Sequence, residues 1–112
     1  MEQLFFEMQN QYRIEQGLRE LIYDQTCYEA AAIRNEEIAA VFSYTCPDGR
    51  EWYTVNEDVC YGENLASGYF DAEEVLLAWI DSSSHKKIIL TEDYTKCGVA
   101  EKDGYWTCIF SI

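Results

Sequence analysis

The chain has little with which to hold an anion. Eight lysines and arginines stand against 21 aspartates and glutamates, for a formal net charge of −13. Nucleic-acid binding needs clustered cations against the phosphates, so that class is excluded. Adhesion to an anionic membrane surface is disfavoured for the same reason. The acids are spread along the chain rather than gathered in a block, and they read as a solvated surface. No apolar run approaches the ~20 residues of a membrane span, so no transmembrane segment is expected. The start lacks a basic n-region and a long apolar h-region, so no secretory signal peptide is read. Met1 fits a genuine start, or a chain whose leader has been removed. There is one proline and one histidine, so any imidazole chemistry must run through His85. No Cys-x-x-Cys pair occurs, which argues against a zinc ribbon or thioredoxin-like site. There is no Gly-x-Ser-x-Gly elbow, and Gly62 and Gly68 do not form a phosphate loop.

What is present suffices for one packed domain, residues 1–112. Hydrophobic content is 48% and aromatic content 15% over 112 residues. A chain of this size buries roughly two thirds of its unfolded surface. The five cysteines, Cys27, Cys46, Cys60, Cys97 and Cys108, leave at least one thiol unpaired in a monomer. They read either as small buried hydrophobes or as one or two disulfides.

The periodicity predicts a helix over 2–16, with Leu4, Phe5, Met8 and Tyr12 as its apolar stripe and Gly17 as its stop. Asn10 and Arg13 near its end read, by pattern alone, as a solvent-facing polar pair. Asp24 is expected to cap an alanine-rich second helix running to about Phe42. Cys27, Ala31, Ile38, Val41 and Phe42 lie near one face of it, and Arg34, Glu36 and Glu37 are placed on the wet side. Pro47-Asp48-Gly49 makes a turn, and residues 52–58 suit a short helix. The segment around Tyr61 and Leu65 reads as a strand edge or a loop. Asp71-Ala72-Glu73-Glu74 is a capping box, followed by a buried face of Val75, Leu76, Trp79 and Ile80. Serines at 82, 83 and 84 end that helix and deliver His85, which opens one further helical turn. Two β-rich runs, 94–100 and 105–112, flank Asp103-Gly104 and predict a hairpin. It brings Cys97 near Cys108, where a cross-strand disulfide depends on register. Helices first and strands last argue for an α+β layer fold.

The residues best suited to chemistry are Glu63 and His85, read as facing each other across a cleft. A carboxylate beside an imidazole can orient it, share a proton with it, or join it on a metal. Two donors fall short of a zinc site, which usually takes three or four protein ligands. A structural contact between them explains the pair equally well. A cysteine nucleophile, Cys60 or Cys46 with His85 as its base, has weaker support, because such cysteines more often pack or pair. Tyr44, Tyr61 and Tyr69 fall in loops near this centre.

The order of these signals resembles the CAP superfamily, the SCP-like domains of cysteine-rich secretory, antigen 5 and pathogenesis-related proteins, and above all its short bacterial members. The resemblance runs from Asn10-x-x-Arg13 and Gly17-Leu18 through Phe42-Ser43 and Pro47-Asp48-Gly49. It continues through Gly62-Glu63-Asn64-Leu65-Ala66, Glu74-Val75, Trp79, Ser82 and His85, and closes on Gly98-Val99, Tyr105-Trp106 and Phe110. It implies a three-layer α-β-α sandwich around a small antiparallel sheet, and an extracellular or cell-envelope setting. It also implies a cleft in which two histidines and two acids can hold a divalent cation such as zinc. Glu63 matches the Gly-Glu-Asn glutamate and His85 the second histidine. Tyr44 stands where the first histidine is normal, and Ser82 falls near the second acid. With half of that tetrad present, a neutral phenol being a poor zinc ligand, an enzyme is the lesser expectation. The leading reading is a monomeric binding module whose cleft, formed by Glu63, His85, Tyr44, Ser82 and Asn64, takes a small apolar ligand, a peptide or an envelope component. The alternative is a hydrolase, metal-assisted or dependent on His85 and Glu63.

Overall fold

A computed structural model describes all residues, Met1–Ile112. Four helices and four strands follow in the order α1 (Glu2–Glu15), β1 (Ile22–Tyr23), α2 (Gln25–Ala40), β2 (Gly62–Ser67), α3 (Ala72–Asp81), α4 (Ser83–Ile89), β3 (Lys96–Lys102) and β4 (Tyr105–Ser111), with one 3-10 turn at Trp52–Val55. The sheet order is β1-β3-β4-β2. The expected sandwich forms, with one difference. The short β1 runs parallel to β3, so the sheet is mixed; the other pairings are antiparallel.

Strand alternation splits the core into two. Cys97 and Val99 of β3 and Trp106, Cys108 and Phe110 of β4 join Phe5, Val75 and Trp79 in the cluster under α1 and α3. Ala100 and Ile109 join Cys27, Ala30 and Ala31 in the cluster under α2. At Gly98 helix and sheet meet directly. A Cβ built there would lie 2.1 Å from the Tyr28 amide nitrogen and 2.6 Å from the Cys27 carbonyl carbon. Only glycine permits that approach.

The local signals behave as chemistry demands. Asp24 caps α2 by accepting from the Cys27 amide at 2.9 Å. Asp71 accepts from the amides of Glu73 and Glu74 at 2.7 and 3.4 Å. The reciprocal bond from the Glu74 side chain is not made, so the capping box is half formed. Asp103 and Gly104 both take positive φ, 54° and 83°, the mirror-image turn that matches strand twist.

Several expectations are corrected. The inward face of α1 is Phe5, Gln9, Asn10 and Arg13, while Leu4 is exposed and Met8 and Tyr12 lie at the margin. Asn10 is a clamp, donating to the Leu21 carbonyl and accepting from the Leu21 amide at 3.0 and 2.8 Å. Arg13 donates to the carbonyls of Arg19, Ile89 and Thr91. Helix α2 stops at Ala40, leaving Val41 and Phe42 exposed, and Arg34 is fully buried rather than on its wet side. All five cysteines are free and buried, the first of the two readings given for them. Cys97 pairs with Phe110 and Cys108 with Val99, so the two thiols are diagonal neighbours. Diagonal partners are about 7–8 Å apart, beyond unstrained disulfide reach.

Candidate functional site

The Gly-Glu-Asn segment forms the first half of β2, an edge strand. Successive side chains on a strand leave by opposite faces. Glu63 therefore enters the α2 layer, and Asn64 enters the layer of α3 and α4. This alternation keeps Glu63 and His85 from meeting as the sequence suggested. Glu63 hydrogen-bonds to Arg34, with Nε to Oε2 at 2.9 Å and Nη2 to Oε1 at 3.2 Å. Both side chains are fully buried. Asn64 instead donates to the His85 carbonyl at 3.2 Å. Its Oδ1 is buried without a partner.

Arg34 does more than pair with Glu63. Nη1 reaches Glu37 at 2.8 Å, and Nη2 donates to the Ser43 carbonyl at 2.6 Å. Burial lowers the guanidinium's affinity for its proton, but the hydrogen bonds and charges of Glu63 and Glu37 raise it further, and the net shift is upward. Burial pushes the Glu63 carboxyl up to about 7, with Arg34 pulling against it.

His85 sits in the first turn of α4. Ser82, which ends α3 and precedes α4, places its hydroxyl 2.7 Å from Nδ1. Tyr44, from the turn after α2, places its hydroxyl 3.2 Å from Nε2. The Trp79 indole stacks on the imidazole at 6.4 Å between centroids and 21° between planes. The indole is itself fixed by donating from Nε1 to the Leu65 carbonyl at 3.0 Å. Burial lowers the affinity of His85 for a proton. A neutral imidazole has one donor and one acceptor nitrogen, so the two hydroxyls take opposite roles in a short Tyr44–His85–Ser82 chain. Burial, and then the charge of Glu63, raise the Tyr44 phenol above its ordinary value, which keeps it protonated. The chain thus links the segment after α2 to α4 beside β2, whose residues 62–66 are buried.

Of the sequence-predicted cleft, the structure joins Tyr44, Ser82 and His85 by side chain, brings in Asn64 through the His85 backbone, and sets Glu63 behind the strand. Sequence reading missed Arg34. A signal was present: Cys27, Ala31, Arg34 and Ile38 follow one another at helical spacing, so position 34 continues the buried stripe. No group of three or more His, Cys, Asp or Glu side chains is arranged to hold a metal ion. Two cavities lie away from these residues. One of about 420 Å³ between α1 and α3 is lined by Met8, Tyr12, Leu76, Leu77 and Ile80 among others. Another of about 450 Å³ lies between α2 and the β3–β4 hairpin.

An α-β-α sandwich whose edge strand carries Gly-Glu-Asn, with Asn64 bonded to the backbone of a histidine on α4, has the layout of an SCP-type domain. The family model described as CAP, cysteine-rich secretory protein family, matches residues 6–110, and the chain belongs to that family. It is similar to an extracellular SCP-domain protein of Bacillus anthracis, at TM-score 0.87 and 27% identity over 97% of this chain and 39% of that one. An outer surface protein of Borrelia burgdorferi shares the fold at TM-score 0.79 and 23% identity, over 97% of this chain and 90% of that one. The uncharacterized protein YkwD of Bacillus subtilis is 31% identical over 110 residues, 90% of this chain and 43% of that protein. The chain thus spans less than half the length of its curated relatives. No helix is long and apolar enough to cross a membrane.

Proposed function

We propose that the chain is a non-catalytic binding domain of an extracellular or envelope-associated protein, and that it engages a peptide-like partner at the edge of β2 through Tyr44, His85 and Ser82. The observation that carries this reading is that both ring nitrogens of His85 face hydroxyls. The carboxylate that would orient a catalytic imidazole is instead tied to Arg34. Ser82 lies within reach of His85 as a nucleophile would, but no carboxylate backs the ring, so the hydrolytic alternative has the weaker support. The excess of acids favours a basic partner through steering. A small apolar ligand finds better support in the α1–α3 groove, with its floor of Met8, Leu76, Leu77 and Ile80, than beside His85. That is the second reading.

The test is an NMR titration of the ¹⁵N-labelled domain with a basic decapeptide, a peptidoglycan stem peptide and a C16 fatty acid. Shifts at Tyr44, Ser82 and His85 with either peptide, lost in His85→Ala, are expected. Fatty-acid shifts confined to α1 and α3 would replace this reading with the second. Peptide cleavage that disappears in His85→Ala would replace both with the hydrolase.

A further inference from the structure

We infer that Arg34 is the built-in cation of this site: it takes up the carboxylate that a divalent metal would need, and it holds the Ser43–Tyr44 turn in the position from which Tyr44 meets His85. Donor chemistry carries the inference. A zinc ion takes about four ligands, usually from imidazole, thiolate and carboxylate. At this edge the carboxylate is Glu63, and each of its oxygens already accepts from Arg34, at 2.9 and 3.2 Å. The two nitrogens of His85 are engaged by Ser82 and Tyr44. Tyr44 and Ser82 offer neutral hydroxyls. The residues present do not fit the divalent cation that the family's cleft can hold.

The guanidinium is suited to the exchange. It is planar, permanently charged, and presents its donors in a fixed fork that matches a carboxylate. A metal ion would organise the cleft by pulling separate elements onto one centre. Arg34 does the same from within α2. It binds Glu63 on β2, Glu37 on its own helix and the Ser43 carbonyl in the turn that carries Tyr44. Arg34 is thus a positioning residue, acting on the edge through Glu63 and Tyr44. The proposed function and this inference concern the same edge. The probe here is zinc rather than a partner, so either can fail without the other.

The single histidine makes the test direct, because its ring signals report this site regardless of what the thiols do. Zinc is titrated into wild type and into Tyr44→His, whose replaced residue is exposed. Wild-type ring signals are expected to stay in place at tenfold excess of metal. In Tyr44→His the second imidazole is restored while Arg34 still occupies Glu63, and micromolar binding is not expected. Micromolar binding by either protein that is lost on His85→Ala overturns the inference. Arg34→Gln is then added to Tyr44→His, with folding checked by circular dichroism. Release of Glu63 should tighten zinc at least tenfold, and equal affinity in a folded double variant also overturns it. If the double variant does not fold, the Tyr44→His titration decides alone. A readout independent of metal is the contact between Tyr44 and His85 rings in NOE spectra: Arg34→Lys, which keeps the charge but loses the fork, should weaken it in a folded protein. An unchanged contact there overturns the positioning role.

Discussion

Two arginines, Arg13 and Arg34, are equally buried and electrostatically opposite. Both side chains are sealed from solvent. Arg13 has no carboxylate. It spends its donors on the carbonyls of Arg19, Ile89 and Thr91, and its Nη2 has no partner. Burial lowers its proton affinity. Arg34 has two carboxylates, and its net shift is upward. Arg13 is a cation used as a multi-armed peg. It fastens α1 to the ends of the loops around it, where carbonyls lack helical partners. Arg34 is a cation used as a charge. Burial alone does not say what an arginine is for; its partners distinguish a structural tie from a paired charge. Arg13 faces carbonyls, whereas Arg34 faces two acids beside β2.

The comparison can be broken most forcefully at Glu63. Glu63→Ala strands the Arg34 charge in the core, and removing one partner of a buried pair costs about 3–5 kcal/mol. Chemical denaturation should show that loss; one below about 1 kcal/mol would mean that Arg34 is not paired as described. Arg13→Lys should cost less, about 1–3 kcal/mol, because the charge stays while buried carbonyls lose donors. Equal losses for the two variants would erase the distinction between peg and charge.

The smallest effect lies at His85 and follows pH. Its folded-state proton affinity is depressed by burial, so the unfolded chain binds the proton more readily as the solution acidifies. The stability due to the neutral ring is complete above the unfolded value of about 6.5 and is lost as pH falls through the lower folded value. Wild type minus His85→Gln should therefore shrink on going from pH 7.5 to 5. The ring signals should titrate with a midpoint below 6.5, and a higher midpoint would contradict the burial described. Glu63, raised by burial against the pull of Arg34, adds a pH dependence of the opposite sign. Only the difference between variants isolates the imidazole.

The same two arginines mark the limit of what could be read from the chain. Caps at Asp24 and Asp71, the Asp103–Gly104 turn and the periodicity of α3 act within a few residues, and each appeared where local chemistry put it. Asn10, Arg13 and Arg34 were read as wet because a polarity pattern assigns polar residues to the outside. Their partners are remote: the Arg13 contact to Ile89 spans 76 residues, and that of Arg34 to Glu63 spans 29. No local pattern encodes such pairs. The site was legible to the same degree. Tyr44 and Ser82 each place a hydroxyl on a ring nitrogen of His85. The assignment of Glu63 and Asn64 to opposite faces required knowing that their segment is a strand.

The five free thiols carry a consequence for how the molecule opens. Each is buried, and the acidities of Cys27, Cys46, Cys60 and Cys108 are all weakened first by burial. An alkylating reagent needs both access and thiolate, so modification must wait for local opening. Cys46 lies in the irregular segment after α2, whereas Cys97 and Cys108 occupy the two central strands. The cysteines are therefore clocks at different depths, and their order of labelling records which layer of the sandwich comes apart first.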